Sequence, residues 1–417
     1  MKLKTIAEIW GLEGIEGEAT GFTFDSRKVN KGDLFFALKG LKHDGHGFLK
    51  EVAGKGAVAA VVEKGFAGAT GGLFLFRVDD VVAALQKLAI VVQAGRKQKV
   101  IGITGSVGKT TTKEFLAALL EKKHRVGKTP GNSNSQVGLP TALLNGTGDE
   151  EVLIVEMGMS EAGEISKLVD IVAPDVAIVT KIGHAHIESF ADGQEGVAQA
   201  KAEIFSSPKT KVKIANVQAM EFKAVREAAT ATYGVEPAKA DFVLKKGWVI
   251  DEKGKETRDF SLPFEETHFC EDFIGAATVA RLMGLEWEEI FGRVKFLKGS
   301  QLRFEKIERG GVCFVNDCYN ANPESMGAAL DNLPKPKMGG KTIAVFGYMT
   351  GLGKLSEKKH REVAVHALKN VDHILCFGKD CLAMVDVFAE KKRPAEFFGE
   401  MDKLKAVLFD LAKPGDV

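Results

Sequence analysis

The sequence predicts an α/β protein of three consecutive units, the middle one built on a mostly parallel sheet. Short apolar runs such as KVIGITG, EVLIVEMG and PDVAIVTKIG alternate with amphipathic stretches such as KTTTKEFLAALLEKK and AGEISKLVDIV. That alternation is the signature of strands buried on both faces by helices. The second observation is length: 417 residues exceed what one hydrophobic core supports, so two or three domains are expected. The third is that a second set of strand-like runs separated by helices begins past about residue 300, after the helices that close the first alternation, which marks a later unit of its own.

Taken in order, residues 1–82 read as a small α/β module, with strands in GDLFFALKG and AVAAVVEKG and a helix in HGFLKEVAGKG that ends at glycine. The helix VVAALQKLAIVVQAG opens a second unit, 83–299. There KVIGITG, EVLIVEMG, PDVAIVTKIG and KVKIANV are the strands, and EGVAQAKAEIF is a further helix. A polar segment from about 235 to 268 suggests a small antiparallel excursion before the helices GAATVARLMG and EWEEIFGRV. The third unit, 300–417, is again an open, Rossmann-like α/β sheet. Its strands are GGVCFVNDCYN, KTIAVFGYM and VDHILCFG, and its helices lie around SMGAALDNL and SEKKHREVAVHALKN. One more buried strand is expected where the sequence stops at KPGDV, so this last unit reads as lacking its final strand.

Charge is nearly balanced, at +1, which gives no global attraction to nucleic acid or anionic membrane; an anionic ligand has to be caught locally. Five scattered cysteines, with no C-x-x-C pair, fit neither a disulfide framework nor a zinc site. The amino terminus lacks a signal-peptide core, and no run approaches the roughly 20 apolar residues that cross a bilayer. A cytoplasmic protein is expected, without membrane insertion or a nucleic-acid partner, and monomeric.

ITGSVGKTTT runs from a strand through a glycine turn into a helix, the setting of a phosphate-binding loop. The loop is abbreviated, because Ile103 stands where the full G-x-x-x-x-G-K-[ST] pattern has its first glycine. Gly105 and Gly108 let backbone N–H groups face a phosphate, and Lys109 neutralises it. The Thr110 hydroxyl is placed for Mg²⁺. Such a metal usually takes a carboxylate from a neighbouring strand, and VLIVEMG ends in Glu156, at the ligand edge of an open sheet. The next strand ends in TKIGHAHIESF, where His184 and His186, two apart, are expected to point opposite ways, one to the site and one to packing.

TGSVGKTT, the N-x-N of GNSNSQVGLP, VEMG, GHAHIESF, AQAKAEIF and NDCYNANPESM, in this order, resemble the Mur ligases. FDSRKVNKGDLFFALKG and HDGHGF are similar to that family's nucleotide-sugar domain, and YNANP followed by Ser-Met resembles the branch that adds D-alanyl-D-alanine. The resemblance implies a three-domain architecture: an N-terminal UDP-sugar domain, a central ATPase domain and a C-terminal ligase domain. It implies that ATP activates the terminal carboxylate of UDP-MurNAc-tripeptide as an acyl phosphate, which the amine of D-alanyl-D-alanine then attacks. ATP would be held by Gly105, Ser106, Val107, Gly108, Lys109, Thr110 and Thr111, and by Arg303, Asn316, Asp317, Tyr319, Asn320 and Asn322 from the third unit. Thr110 and Glu156 would hold one Mg²⁺. His186 and Lys201, the latter as a CO₂-derived carbamate, would hold a second. Lys109, Lys201 and His186 are the implied catalytic residues. Ser26 and Arg27 would lie near the uridine diphosphate, and Asn132 and Asn134 near substrate and phosphates.

Three departures stand out against the family pattern. Tyr348 and Gly351 occupy the acidic positions of G-D-M-x-E-L-G, and Lys181 stands where asparagine is usual. They leave open a different amine substrate or a catalytically weakened nucleotide-binding paralogue.

Overall fold

The computed structural model describes residues 1–40, 43–251, 253–258, 260–337 and 339–417. Among these residues the strands form four sheets in three successive regions of the chain. The first is a parallel sheet of β1 (Gly21–Thr23), β2 (Asp33–Phe36), β3 (Ala59–Glu63) and β4 (Phe74–Val78), in that order. Helices α1 (Leu3–Trp10) and α2 (Leu49–Gly54) flank it. β2 is buried at every position, which is why Leu34, Phe35 and Phe36 form an apolar run and not an alternation.

The central sheet begins after α3 (Val81–Ala94), whose first turn is capped by Asp80 accepting from Ala83 N–H. Its strands are β5 (Lys99–Thr104), β6 (Val126–Lys128), β7 (Val152–Glu156), β8 (Val176–Val179), β9 (Val212–Asn216), β10 (Ala231–Val235), β11 (Phe242–Lys245), β12 (Trp248–Ile250) and β13 (Glu256–Arg258). The spatial order is β13-β12-β11-β10-β9-β8-β5-β7-β6. Every pairing from β6 to β11 is parallel, and β12 and β13 are antiparallel. The excursion expected at 235–268 is therefore present, though Glu252 and Asp259 lie outside the described residues. β6, of three residues, and β10, only partly buried, do not show in the sequence pattern.

β5 has β7 on one side and β8 on the other, so the strand order reverses beside it. A crevice opens at the carboxyl ends of these strands, where open α/β sheets bind ligands. Helices α4 (Lys109–Leu120) and α9 (Thr267–Leu282) pack against each other on one face. α5 (Gly138–Asn145), α6 (Glu164–Ile171) and α7 (Gln194–Ala202) also flank this sheet, and α8 (Lys223–Ala228) and α10 (Trp287–Phe291) complete its helices.

The third region pairs β14 (Glu305–Arg309) with β15 (Val312–Asn316) as a hairpin. It then builds a parallel sheet of β16 (Ile343–Gly347), β17 (His373–Phe377) and β18 (Ala395–Phe398). Its helices are α11 (Pro323–Asp331), α12 (Ser356–Ala367), α13 (Leu382–Glu390) and α14 (Met401–Leu411). β14, α13, β18 and α14 are additions to the expected elements. Where a further strand was expected, the last residues bond like one: Ile343 N–H donates to Val417 O at 2.8 Å, Val417 N–H to Lys341 O at 3.0 Å and Cys313 N–H to Asp416 O at 3.0 Å. Among the described residues, no helix is long and apolar enough to cross a membrane.

Candidate active site

The phosphate loop is fixed by its glycines. Gly105 has φ 151° and Gly108 has φ 89°, in the region that favours glycine. A Cβ at Gly105 would overlap Thr180 Oγ1, and one at Gly108 would overlap Asp272 Oδ1, so neither position admits a side chain. The loop is then tied to the end of β8: Ser106 N–H donates to Lys181 O at 2.7 Å, Gly183 N–H to Ser106 Oγ at 2.9 Å and Thr180 Oγ1–H to Val107 O at 2.6 Å. Gly108 is the N-cap of α4, so the free N–H groups of that helix face the crevice.

Lys109 curls back to donate to Gly105 O at 2.8 Å. Burial pushes its ammonium below the ordinary lysine range, Glu156 pulls it up and Arg303 pushes it down again. Thr110 Oγ1–H donates to Glu156 Oε2 at 2.9 Å, and Arg303 Nη2, from the third region, donates to Thr110 Oγ1 at 3.0 Å. Glu156 is 1% exposed. Its other carboxylate oxygen accepts from Asn134 Nδ2 at 2.7 Å, and its N–H donates to Thr129 Oγ1 at 3.1 Å.

Lys201, on α7, is 2% exposed, and its amine has neither a hydrogen-bond nor an ion-pair partner among the described residues. Burial, reinforced by the Lys109 cation, holds it well below the usual lysine value. Both causes favour the uncharged, nucleophilic form of the amine over the ammonium. His186 adopts φ 64°, left-handed for a non-glycine residue, and burial followed by Lys201 and Lys109 lowers its pKa. His184 points elsewhere, pairing through Nδ1 with Glu324 of α11.

A cavity of about 760 Å³ collects these groups. It is lined by Gly105 to Thr111, Asn132, Asn134, Glu156, His186 and Lys201 from the central region, and by Arg303, Asp317, Tyr319, Asn320 and Asn322 from the third. Asn316, at the end of β15, is not among its lining residues, nor are Ser26 and Arg27. Arg27 lies in the first region, 83% exposed at its side chain and paired with Asp25 at 2.8 Å. Asn322 caps α11, accepting from Ser325 N–H at 2.8 Å with Pro323 at the first helical position, so its carbonyl is already engaged. Asp317 Oδ1 accepts from Phe304 N–H at 3.1 Å, and the Arg303 guanidinium lies 4.2 Å from the centre of the Tyr319 ring.

The family descriptions agree with this layout. Residues 18–92 match the Mur ligase family catalytic domain, 103–282 the Mur ligase middle domain and 302–417 the Mur ligase glutamate ligase domain. The chain belongs to the Mur ligase family. This Mur ligase is 32% identical, over 95% of its own length and 89% of the relative, to the UDP-N-acetylmuramoyl-tripeptide–D-alanyl-D-alanine ligase of Bacillus subtilis. It is 30% identical to the enzyme of the same name from Synechocystis, over 94% of its own length and 86% of the relative. It is also similar to the crystal structure of MurF from Acinetobacter baumannii, with TM-score 0.78, 26% identity and 98% of each chain covered. The MurF ligase of Thermotoga maritima, solved in complex with ADP, gives TM-score 0.74 and 30% identity, over 95% of this Mur ligase and 92% of that chain.

Among the described residues no three His, Cys, Asp or Glu side chains gather as a metal cluster. The donor set nevertheless fits Mg²⁺, which is held by one or two carboxylates and completes its shell with phosphate oxygens and water. Thr110 and Glu156 supply two adjoining protein oxygens beneath the phosphate loop. Sequence reasoning missed Lys113, Asp272 and Glu324. Asp272 and Glu324 line the cavity, and Lys113 lies just behind Glu156. A lysine after a run of threonines, on the helix that carries the phosphate loop, was the available signal for the first.

Proposed function

We propose that this Mur ligase joins the amine of D-alanyl-D-alanine to the terminal carboxylate of UDP-N-acetylmuramoyl-tripeptide, driven by ATP, as a step of cytoplasmic peptidoglycan precursor synthesis. The observation that carries the reading is that the phosphate loop and the third region's Arg303, Asp317, Tyr319 and Asn320 line one cavity. The loop N–H groups and Lys109 bind the β- and γ-phosphates, and Arg303 adds a second cation from the third region. A carboxylate oxygen of the tripeptide attacks the γ-phosphorus, and ADP leaves. The acyl phosphate so formed carries the leaving group a bare carboxylate lacks. The amine nitrogen attacks the acyl carbon, the C–O bond to phosphate breaks, and amide, phosphate and one proton are released.

Thr110 and Glu156 hold one Mg²⁺ in this reading, and His186 with carbamylated Lys201 a second. Bound magnesium supplies charge neutralisation at the phosphoryl and carboxylate oxygens. The neutral Lys201 amine attacks CO₂ and loses a proton, so an uncharged buried amine becomes an anionic oxygen ligand. Ser26 and Arg27 are assigned to the uridine diphosphate and Asn132 and Asn134 to substrate, with joints between the three units near residues 82 and 299. The test is phosphate release from ATP with UDP-MurNAc-tripeptide and each candidate amine. Release that depends on D-alanyl-D-alanine is expected; release driven by a single amino acid, or tight ATP binding without turnover, overturns the proposal.

A further inference from the structure

Lys113 is a buried cation that the chemistry above does not use. It is 0% exposed and is absent from the cavity lining. It follows Thr110 by three residues on α4, and so shares that residue's face of the helix. Its ammonium donates to Thr129 O at 2.8 Å and to Gly131 O at 2.6 Å, which uses two of its three donors. The remaining side faces Glu156 Oε2 at 3.7 Å and Glu114 Oε1 at 3.6 Å. Glu114 is the more exposed of the two, 28% against 1%, and is also paired with Lys128.

The two carbonyls belong to the turn that carries Asn132 and Asn134. That turn is wrapped around Glu156 from two sides, by Asn134 Nδ2 to Glu156 Oε1 at 2.7 Å and by Glu156 N–H to Thr129 Oγ1 at 3.1 Å. Gly158 N–H donates to Asn134 O at 2.8 Å and closes the wrap. Lys113 is thus the only described side chain outside the cavity that bonds both to this turn and, by charge, to Glu156.

We infer that Lys113 is a positioning residue: it pins the 129–134 turn to α4 and so sets the Glu156 carboxylate beside Thr110, where the nucleotide's divalent cation is taken. The inference rests on the proposed Thr110–Glu156 metal assignment. Replacing the ammonium by a methyl thioether leaves both carbonyls without a donor, and the turn relaxes away from Glu156. The phosphate-loop contacts to the nucleotide, made by residues 105–111, stay in place.

The test is calorimetric titration of the full chain with ADP, once with Mg²⁺ and once with a chelator. In Lys113→Met the gain in ADP affinity that Mg²⁺ confers falls roughly tenfold, the size usual for a group that orients metal ligands without touching the ion. Affinity without Mg²⁺ stays within about twofold, a split that general destabilisation does not produce. Should that variant fail to fold, Lys113→Arg keeps the charge but displaces it, and loses at least about threefold of the same gain. An unchanged gain in either folded variant, or parallel losses with and without Mg²⁺, overturns the inference. A wild-type chain that binds ADP equally well in both conditions overturns the metal assignment beneath it instead.

Discussion

Asp317 makes a prediction whose size follows from its surroundings. Burial raises its carboxyl to about 6, against the opposing pull of the Phe304 N–H and the Arg303 guanidinium. In the unfolded chain an aspartate titrates near about 4. Two units at about 1.4 kcal/mol each give about 3 kcal/mol, and partial exposure of the side chain trims this to about 2 kcal/mol. The sign follows from proton counting. Between about pH 4 and pH 6 the folded state holds a proton the unfolded state has released, so stability falls as pH rises through that window and levels off above it. Asp317→Asn cannot titrate, so it gains about 2 kcal/mol on the wild type between pH 4 and pH 7. With an unfolding entropy of about 2.1 cal/mol/K per residue, that is a relative Tm gain of about 2 °C if the chain melts as one body. It is about 8 °C if the third region melts alone. Paired thermal melts of both proteins at each pH read the difference directly. A Tm difference that stays flat across pH 4 to 7, or that moves against the variant, refutes the reasoning.

Two further outcomes follow from the site. Lys201→Ala removes the unpaired amine and lowers turnover at least about a hundredfold while ADP affinity in chelator is kept; near-normal turnover in phosphate-release assays removes Lys201 from the chemistry. Gly351→Glu restores the family's acidic residue at φ 75°, with a Cβ placed 3.2 Å from His186 N, and turnover falls at least about tenfold as the third region is pushed off the His186 turn. A wild-type rate in that variant shows that the contact between the two segments is immaterial to catalysis.

The phosphate loop was legible because its residue types are dictated locally: only glycine survives beside Thr180 and Asp272, and strand-turn-helix patterning reports where the loop must sit. The central sheet was legible for the same kind of reason, its strands being long unbroken apolar runs. β10 and β18 were not, because their burial is partial and their composition ordinary; β10 is held by pairing with β9 and β11, and β18 by pairing with β17. Side chains whose role depends on a distant partner were invisible as well. Lys113 meets Thr129 across 16 positions, Thr112 meets Asp272 across 160, and His184 meets Glu324 across 140. No periodicity encodes such meetings, since they are products of topology. The Asn-rich turn shows the opposite limit: the motif places Asn320 and Asn322 at the cavity, yet the fold spends the Asn322 carbonyl on a helix cap.

The three departures from the family pattern acquire a common explanation once their neighbours are known. Lys181 serves the phosphate loop through its backbone, accepting from Ser106 N–H at 2.7 Å, while its side chain turns to α9 and pairs with Glu271 at 2.5 Å. A change of side chain there leaves the loop's tether in place. The Tyr348 ring lies against Gly378, itself at φ 95°, where any Cβ would overlap it, so the bulk gained at one position is met by a glycine at the other. Gly351 O accepts from Glu188 N–H at 3.2 Å, and its missing Cβ lets the turn after β16 rest on the backbone of His186. Each replacement is answered by a partner outside the Thr110–Glu156 pair, and the partner of Gly351 is His186, which lines the cavity with Lys201. Loss of two carboxylates from this turn therefore acts on how closely the third region seats against the central one, and on the His186 turn through it. Gly351→Glu tests that seating directly, through the contact of Gly351 with the His186 backbone.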